Sequence, residues 1–315
     1  MKKTLIIFVL LVIIAAVSML IFIPKTLVVS KVIYLESSDR IIYDYLLTNK
    51  NKDKWWPKDL SVTSKATDSS LYVFKQTNFR FFESKFNGTE VTASKGGAVF
   101  KGNVYGLFEG KNSVKLVWRV SIENNFNPVT RMINYVKATA IKKEITKILE
   151  QFGDFAIKEK NIYGLKINRT IVKDTLLLTT NKSLAYYPSV TEIYSTVNKL
   201  TEFAKSNSAQ ITNSPMLNII KTYEGKYNIT IALPVDKGIV AKDSYFVNKM
   251  FPGNILETEV TGGRNSIDNG FLQLKNYMKD FKLTSPAMPF EMMITNRNLE
   301  SDTTKWVTKI YYPIF

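Results

Sequence analysis

The first 23 residues break from the rest of the chain in their pattern. After Lys2 and Lys3 there is no charge until Lys25, and Thr4–Ile23 is apolar except for Thr4 and Ser18. As a helix that run crosses about 30 Å of hydrocarbon. Small residues at Ala16-Val17-Ser18 allow a competing reading as a cleaved signal peptide, but the apolar run continues past them, so an uncleaved anchor is expected. Lys2 and Lys3 favour an inside N-terminus and an extracytoplasmic globular part. From Lys25 onward polarity alternates. "TLVVSKVIYL" reads as a strand, and Ser37/Ser38 offer an N-cap to a short amphipathic helix, "DRIIYDYLLTN", with Pro57 as a stop. Strand-like runs follow, "SLYVFKQ", "FRFFESKF", "TEVTAS", "AVFKGNVYGLFEG" and "SVKLVWRVSIE". Asn87-Gly88, Gly96-Gly97 and Lys111-Asn112 punctuate them as hairpin turns. Pro128 then opens a helix to about Lys158, with Val129, Ile133, Val136, Ile141, Ile145, Ile148, Leu149 and Phe152 as one apolar stripe.

The remainder repeats itself. "TIVKDTLLLTT", "SVTEIYSTVNKLTEFAKSN", "SPMLNIIKTY" and "KYNITIALPV" form a strand–helix–strand–strand series. "GNILETEVTGG", "SIDNGFLQLKNYMKDFKL", "AMPFEMMITN" and "KWVTKIYYPI" form it again. A gapless overlay of "SPMLNIIKT" on "AMPFEMMIT" sets Leu217 opposite Phe290, Asn218 opposite Glu291 and Thr222 opposite Thr295. Pro234 likewise falls opposite Pro313, and Val197, Leu200 and Ala204 fall opposite Leu274, Tyr277 and Phe281. The second copy has the longer hairpin loop, "RNLESDTTK" against "EG". The expected fold class is α+β. Residues 1–24 form the membrane anchor, 25–158 a first domain, and 159–315 the tandem-repeat domain.

Composition narrows the chemistry. The 315 residues contain no cysteine and no histidine, which removes disulfides, thiol nucleophiles, His-dependent triads and Cys/His zinc sites. No metal and no cofactor is expected. The formal net charge is +16, from 43 Lys+Arg against 27 Asp+Glu, but the lysines are scattered and no basic recognition helix is visible. Nucleic acid is not an expected partner. The partners expected are a small-molecule ligand and a membrane, the latter through Thr4–Ile23; oligomeric state is left open.

Two resemblances follow from these patterns. Strand, short helices with "WWP", a curved antiparallel sheet and a long C-terminal helix resemble the helix-grip fold of the SRPBCC/START-like superfamily. That resemblance implies an apolar cavity, with Trp55, Phe81, Tyr105 and Trp118 as candidate lining. The tandem repeat, with "PFEMMIT" and the closing "WVTKIYYPI", resembles GyrI-like small-molecule-binding domains. Those also serve as effector-binding modules of transcription regulators. The resemblance implies a groove between the two copies, with Glu291 and Tyr311 at its centre and Trp306 and Met293 as walls. Asn218 is included as the first copy's counterpart of Glu291.

Strand parity sets which of these side chains share a face. Glu291, Met293 and Thr295 share one face of their strand, and Phe290, Met292 and Ile294 share the other. The all-apolar set is expected under the helices, which leaves Glu291, Met293, Tyr311 and Lys309 on the groove face. A carboxylate among aromatic rings suits cations, but Lys309 would neutralise it and admit a neutral or zwitterionic ligand. The leading expectation is non-catalytic binding, for sensing or sequestration of apolar or aromatic ligands. The alternative is hydrolysis of small electrophiles, with Glu291 activating water and Tyr311 assisting. Glu257 and Glu259 read as a solvated strand face, and "TGGR" at Thr261–Arg264 as a helix start able to meet an anion.

Overall fold

The structure is a computed structural model and describes residues 2–58, 70–85, 87–110, 112–242, 244–250 and 252–315. Phe86, the last residue of "FRFFESKF", and Lys111, named above at a turn, lie outside these residues. The chain divides into two compact units, Met1–Lys158 and Glu159–Phe315.

The first unit begins with α1 (Lys2–Phe22), a helix long and apolar enough to cross a membrane, as a signal sequence also would be. Strand β1 (Thr26–Glu36) follows after three residues. The Ser38 hydroxyl accepts from the Ile41 amide and starts α2 (Asp39–Ile41), whose winding widens to a π-type turn over Ile42–Leu47. Five further strands complete an antiparallel sheet: β2 (Leu71–Phe74), β3 (Thr77–Lys85), β4 (Gly88–Lys95), β5 (Ala98–Glu109) and β6 (Ser113–Glu123). Their order is β1-β6-β5-β4-β3-β2. Helix α3 (Pro128–Ala156) packs along this sheet. Asn127 caps it by accepting from the Val129 and Thr130 amides, and Pro128 opens it. Buried Glu144 pins it to the strands, accepting from Thr77 Oγ1 at 2.6 Å and Lys95 Nζ at 2.8 Å.

The single apolar stripe expected for this helix is in fact two. Ile141, Ile145, Ile148, Leu149 and Phe152 are fully buried, whereas Val129, Ile133 and Val136 are exposed. The five-residue step from Val136 to Ile141 turns the helix by about 140°, so the two sets face opposite sides.

The interior of the sheet is filled by rings. Trp118 meets Phe79 and Phe81 edge-on, each with centroids 5.6 Å apart, and Trp55 meets Phe152 at 4.8 Å. Phe81 and Trp118 are therefore packed against each other, and Trp55 against Trp56 and Phe152. Tyr105 is not among them: Phe100 and Val104 on β5 point inward and are wholly buried, which sends Tyr105 to the other face. Two polar groups sit beside these rings. Among the described residues, Trp118 Nε1 has no hydrogen-bond partner. Lys52 is fully buried, donating to the Thr48 carbonyl at 2.6 Å and Asn49 Oδ1 at 3.2 Å, with Nζ 4.2 Å from the Phe81 ring centroid.

The second unit is one eight-stranded sheet made from the repeat. The first copy supplies β8 (Leu176–Leu184), α5 (Val190–Ser206), β9 (Met216–Lys221) and β10 (Tyr227–Pro234). The second supplies β12 (Asn254–Thr261), α6 (Arg264–Asp280), β13 (Phe290–Met293) and β14 (Val307–Pro313). Helix α4 (Glu159–Tyr163), β7 (Asn168–Ile171) and β11 (Phe246–Lys249) complete it, and the strand order is β11-β8-β10-β9-β13-β14-β12-β7. The copies meet where β9 pairs β13, Leu217 with Glu291 and Met216 with Met292. Ser189 and Glu192 form a full capping box on α5.

Each helix has its own core on the same face of the sheet. Val197, Leu200 and Ala204 of α5 pack with Leu217, Ile231 and Met293; Ile267, Leu274 and Tyr277 of α6 pack with Leu256, Val260 and Ile310. Gly270 lets α6 approach closely, because a Cβ there would run into the side chains of Ile310 and Val260. Gly270→Ala should therefore destabilise the protein by about 1–3 kcal/mol through overpacking, despite a gain of about 1 kcal/mol in helix propensity. Chemical denaturation would show it; a stabilised variant would mean that α6 has room to move.

Candidate functional site

Strand facing decides the site, and here the expectation is overturned. Met293 lies in the α5 core, while Met292 and Phe290 belong to a smaller cluster on the opposite face with Leu177, Met216, Ala232 and Tyr311. Glu291, Met293, Ile310 and Tyr312 thus face the helices; Phe290, Met292, Lys309 and Tyr311 face away. An all-apolar set marked the wrong side because both faces carry apolar cover. The repeat overlay slipped for a related reason. Leu217 faces the helices but Phe290 does not, so the gapless alignment of these two strands is out of phase by one residue. Asn218 is consequently not the counterpart of Glu291. Its amide donates to the Pro289 carbonyl at 2.6 Å, tying β9 to the residue before β13.

Glu291 is buried, and its partner is Arg297, also buried. The two nitrogens Nη1 and Nη2 donate to Oε1 and Oε2, both at 3.4 Å, and Nη2 also donates to Thr308 Oγ1 at 2.9 Å. A fork of this kind matches a carboxylate at two points. Arg297 is held in turn. Its backbone N–H donates to the Tyr194 hydroxyl at 2.9 Å, that hydroxyl donates to the Thr295 carbonyl at 3.2 Å, and its guanidinium lies 5.1 Å from the Trp306 ring centroid. Trp306 donates its indole N–H to the Glu300 carbonyl at 2.9 Å. A second cation, Arg264 at the start of α6, comes within 3.9 Å of Glu291 Oε1 and also pairs with Asp268. Its guanidinium lies 5.2 Å from the Tyr187 ring centroid. Burial pushes the Tyr187 hydroxyl up to about 12, with Arg264 opposing and Glu291 adding to the shift.

Lys309 does not neutralise Glu291. It sits across the sheet and pairs with Glu257 at 3.4 Å. Half-buried Glu257 is therefore more than part of a solvated face, while Glu259 is exposed. Tyr311 stacks on Phe290 at 5.0 Å on that same far face, and burial together with Glu257 raises the pKa of its hydroxyl. Glu291 and Tyr311 lie on opposite faces of the sheet and cannot act on one molecule as base and assistant.

Each face has a concavity. The helix-side cleft, about 280 Å³, lies between α6 and the central strands. Glu291 lies in its floor, Leu217, Ile219, Phe271, Leu272 and Tyr312 supply apolar wall, and Arg264, Asp268 and Lys275 supply charge. The far-side cleft, about 140 Å³, includes Phe290, Met292, Tyr311, Glu257 and Lys309. Of the residues expected at one site, Glu291, Met293 and Trp306 are grouped on the helix side, Met293 within the core and Trp306 against Arg297. Tyr311 is on the other. Arg297, Tyr187, Tyr194 and Tyr312 were not foreseen at the site, and Arg264 only as the end of a helix start able to meet an anion. Two signals pointed near them: Arg297 opens the extra-long loop "RNLESDTTK", and Arg264 ends "TGGR".

No protein-family model matches the sequence, and neither does any curated protein. Among solved structures, the C-terminal domain of EcmrR is similar over 48% of this chain and 98% of its own, at 14% identity and a TM-score of 0.42. SAV2435 bound to tetraphenylphosphonium matches 48% of this chain and 94% of its own, at 14% identity and a TM-score of 0.33. The di-domain ARO/CYC BexL from the BE-7585A biosynthetic pathway matches 92% of this chain and 85% of its own, at 10% identity and a TM-score of 0.34.

Proposed function

We propose that this is a membrane-anchored small-molecule-binding protein whose ligand site is the helix-side cleft of the GyrI-like second unit. One observation carries the reading: an apolar-walled cleft of about 280 Å³ has a buried carboxylate in its floor that is already engaged by Arg297. Concave apolar walls with a few convergent polar groups are the usual form of a ligand site. The engaged carboxylate narrows the ligand. A cation reaching Glu291 would have to displace a forked, buried arginine. A neutral or anionic amphipath needs no such exchange, since its polar end can accept from Arg264. The first unit is read as a helix-grip domain. Its aromatic interior is already packed, so the ligand is assigned to the second unit. The anchor is read from α1 and its short connection to β1.

Isothermal titration of the purified full chain in detergent would test this, using aromatic carboxylates, neutral aromatics and aromatic cations of matched size. The carboxylates and neutral compounds should bind, and Arg264→Ala should weaken the carboxylates by about 10- to 100-fold, the value of one charge-assisted hydrogen bond. Preferential binding of the cations, lost in Glu291→Gln, would overturn the ligand assignment. Binding that ignores both substitutions would place the site elsewhere.

A further inference from the structure

The face of α3 turned away from the core changes character along its length. Val129, Met132, Ile133 and Val136 fall at helical spacing on one stripe, and all are exposed, from 42% at Met132 to 61% at Val129. Phe126, just before the helix, is 83% exposed. Farther along, the same stripe continues as Lys143 and Lys147, both exposed. The outward side of the helix is thus apolar for its first turns and charged afterwards, with exposed Glu150 and Asp154 following the two lysines. Single exposed apolar residues need no explanation, but a clustered patch of this kind does.

The start of α3, which carries this patch, is held at the end of α1. Arg131, buried on the first turn of α3, donates from Nη1 to the Leu20 carbonyl at 2.9 Å and the Ile23 carbonyl at 3.1 Å. Its Nε donates to the Asn125 carbonyl at 2.9 Å. The Asn124 amide donates to the Pro24 carbonyl at 3.2 Å, and its Oδ1 accepts from Asn134 Nδ2 at 2.9 Å. Three side-chain hydrogen bonds therefore hold the start of α3 at the end of α1, and two more brace Arg131 and Asn124. The covalent link is also short: from Phe22 to Thr26 the chain can span at most about 14 Å. A body tied this closely to a membrane-crossing helix must rest some face on the bilayer. Arg131 ties the buried side of the first turn of α3 to the end of that helix, which leaves the apolar stripe as the outward side of the turns nearest to it.

We infer that Phe126 and the first turns of α3 insert into the headgroup–acyl boundary beside α1, seating the first unit on the lipid surface. This rests on the reading of α1 as a membrane anchor. The apolar residues lie where the boundary would be, Lys143 and Lys147 continue into water, and exposed Lys25 suits anionic headgroups. The occupant is the lipid surface of the membrane that α1 crosses.

The absence of cysteine makes the test direct, because single-cysteine variants of the full chain can be labelled at one site. Val129→Cys, Ile133→Cys, Val136→Cys, Lys147→Cys and Val12→Cys would each carry an environment-sensitive fluorophore. The labelled proteins go into phosphatidylcholine vesicles with a minor share of phosphatidylglycerol, with and without a nitroxide lipid. Val12 in mid-α1 should be quenched, which checks the anchor. The probes at Val129, Ile133 and Val136 should be blue-shifted and quenched, and the probe at Lys147 should be neither. Quenching at Val12 with none at the three α3 sites overturns the inference and leaves the anchor standing. No quenching at Val12 overturns both. Blue-shifted α3 probes that the lipid nitroxide does not quench would mean a second copy covers the stripe, and the inference again falls.

Discussion

Arg297→Met is expected to destabilise the second unit by about 3–5 kcal/mol, the cost of leaving one member of a buried ion pair uncompensated. Arg297 is the forked partner of Glu291, and both side chains are almost wholly removed from solvent. With it gone, Arg264 at 3.9 Å is the nearest remaining cation among the described residues, and it is shared with Asp268. Burial then leaves a poorly compensated carboxylate in the cleft floor, which is what destabilises the variant. The double variant Glu291→Gln/Arg297→Met should recover most of the deficit at neutral pH, because no charge is left behind. Urea denaturation of the full chain in detergent measures all three. Should Arg297→Met unfold within about 0.5 kcal/mol of wild type, a typical surface-substitution effect, the pair contributes nothing and the cleft floor is not locked.

The second large effect belongs to the first unit. Burial lowers the Lys52 ammonium from its ordinary value to about 7. The unfolded chain binds a proton there up to about pH 10.4. Between these values the unfolded state holds more protons, so stability rises with pH from about 7 upward and levels off near 10. Tyr72 bounds the window from above, since burial pushes its hydroxyl to about 12 and folding then disfavours its ionisation above pH 10. Lys52→Met should remove this pH dependence. At pH 7 it should also stabilise the unit by about 1–3 kcal/mol, as apolar replacement of buried charge often does. Three of the four tryptophans, Trp55, Trp56 and Trp118, lie in this unit, so its unfolding is followed by fluorescence. Equal slopes for wild type and variant between pH 7 and 9 would show that Lys52 is ionised without penalty.

The elements were legible where one local pattern carried them. Ser38 caps as its side chain predicts, Pro128 opens α3, and the repeat's order of strand, helix, strand, strand is the order observed. Facing was not legible. Parity states which residues share a side of β13 and is silent on which side the helices cover, and both sides are apolar here. The overlay that paired Asn218 with Glu291 matched two threonines and slipped the strands by one residue, enough to exchange their faces. Glu291 was identifiable as unusual, but Arg297 was not, because its role depends on a loop folding back over six residues. A long loop marks the place without naming the side chain that returns.

One further consequence follows from how the two copies are joined. Strand β10 shares six registered pairs with β9, and β14 shares four with β13, yet β9 and β13 share two. Two stitches lengthen that seam, the Met293 amide on the Pro215 carbonyl at 2.9 Å and the Asn218 amide on Pro289. The line of least backbone cohesion in the sheet therefore runs past Glu291, beneath the cleft. A molecule seated there touches both halves and acts as a clasp. Amide protons at Leu217 and Met293 would then exchange more slowly in its presence, making the seam a gauge of occupancy that needs no label.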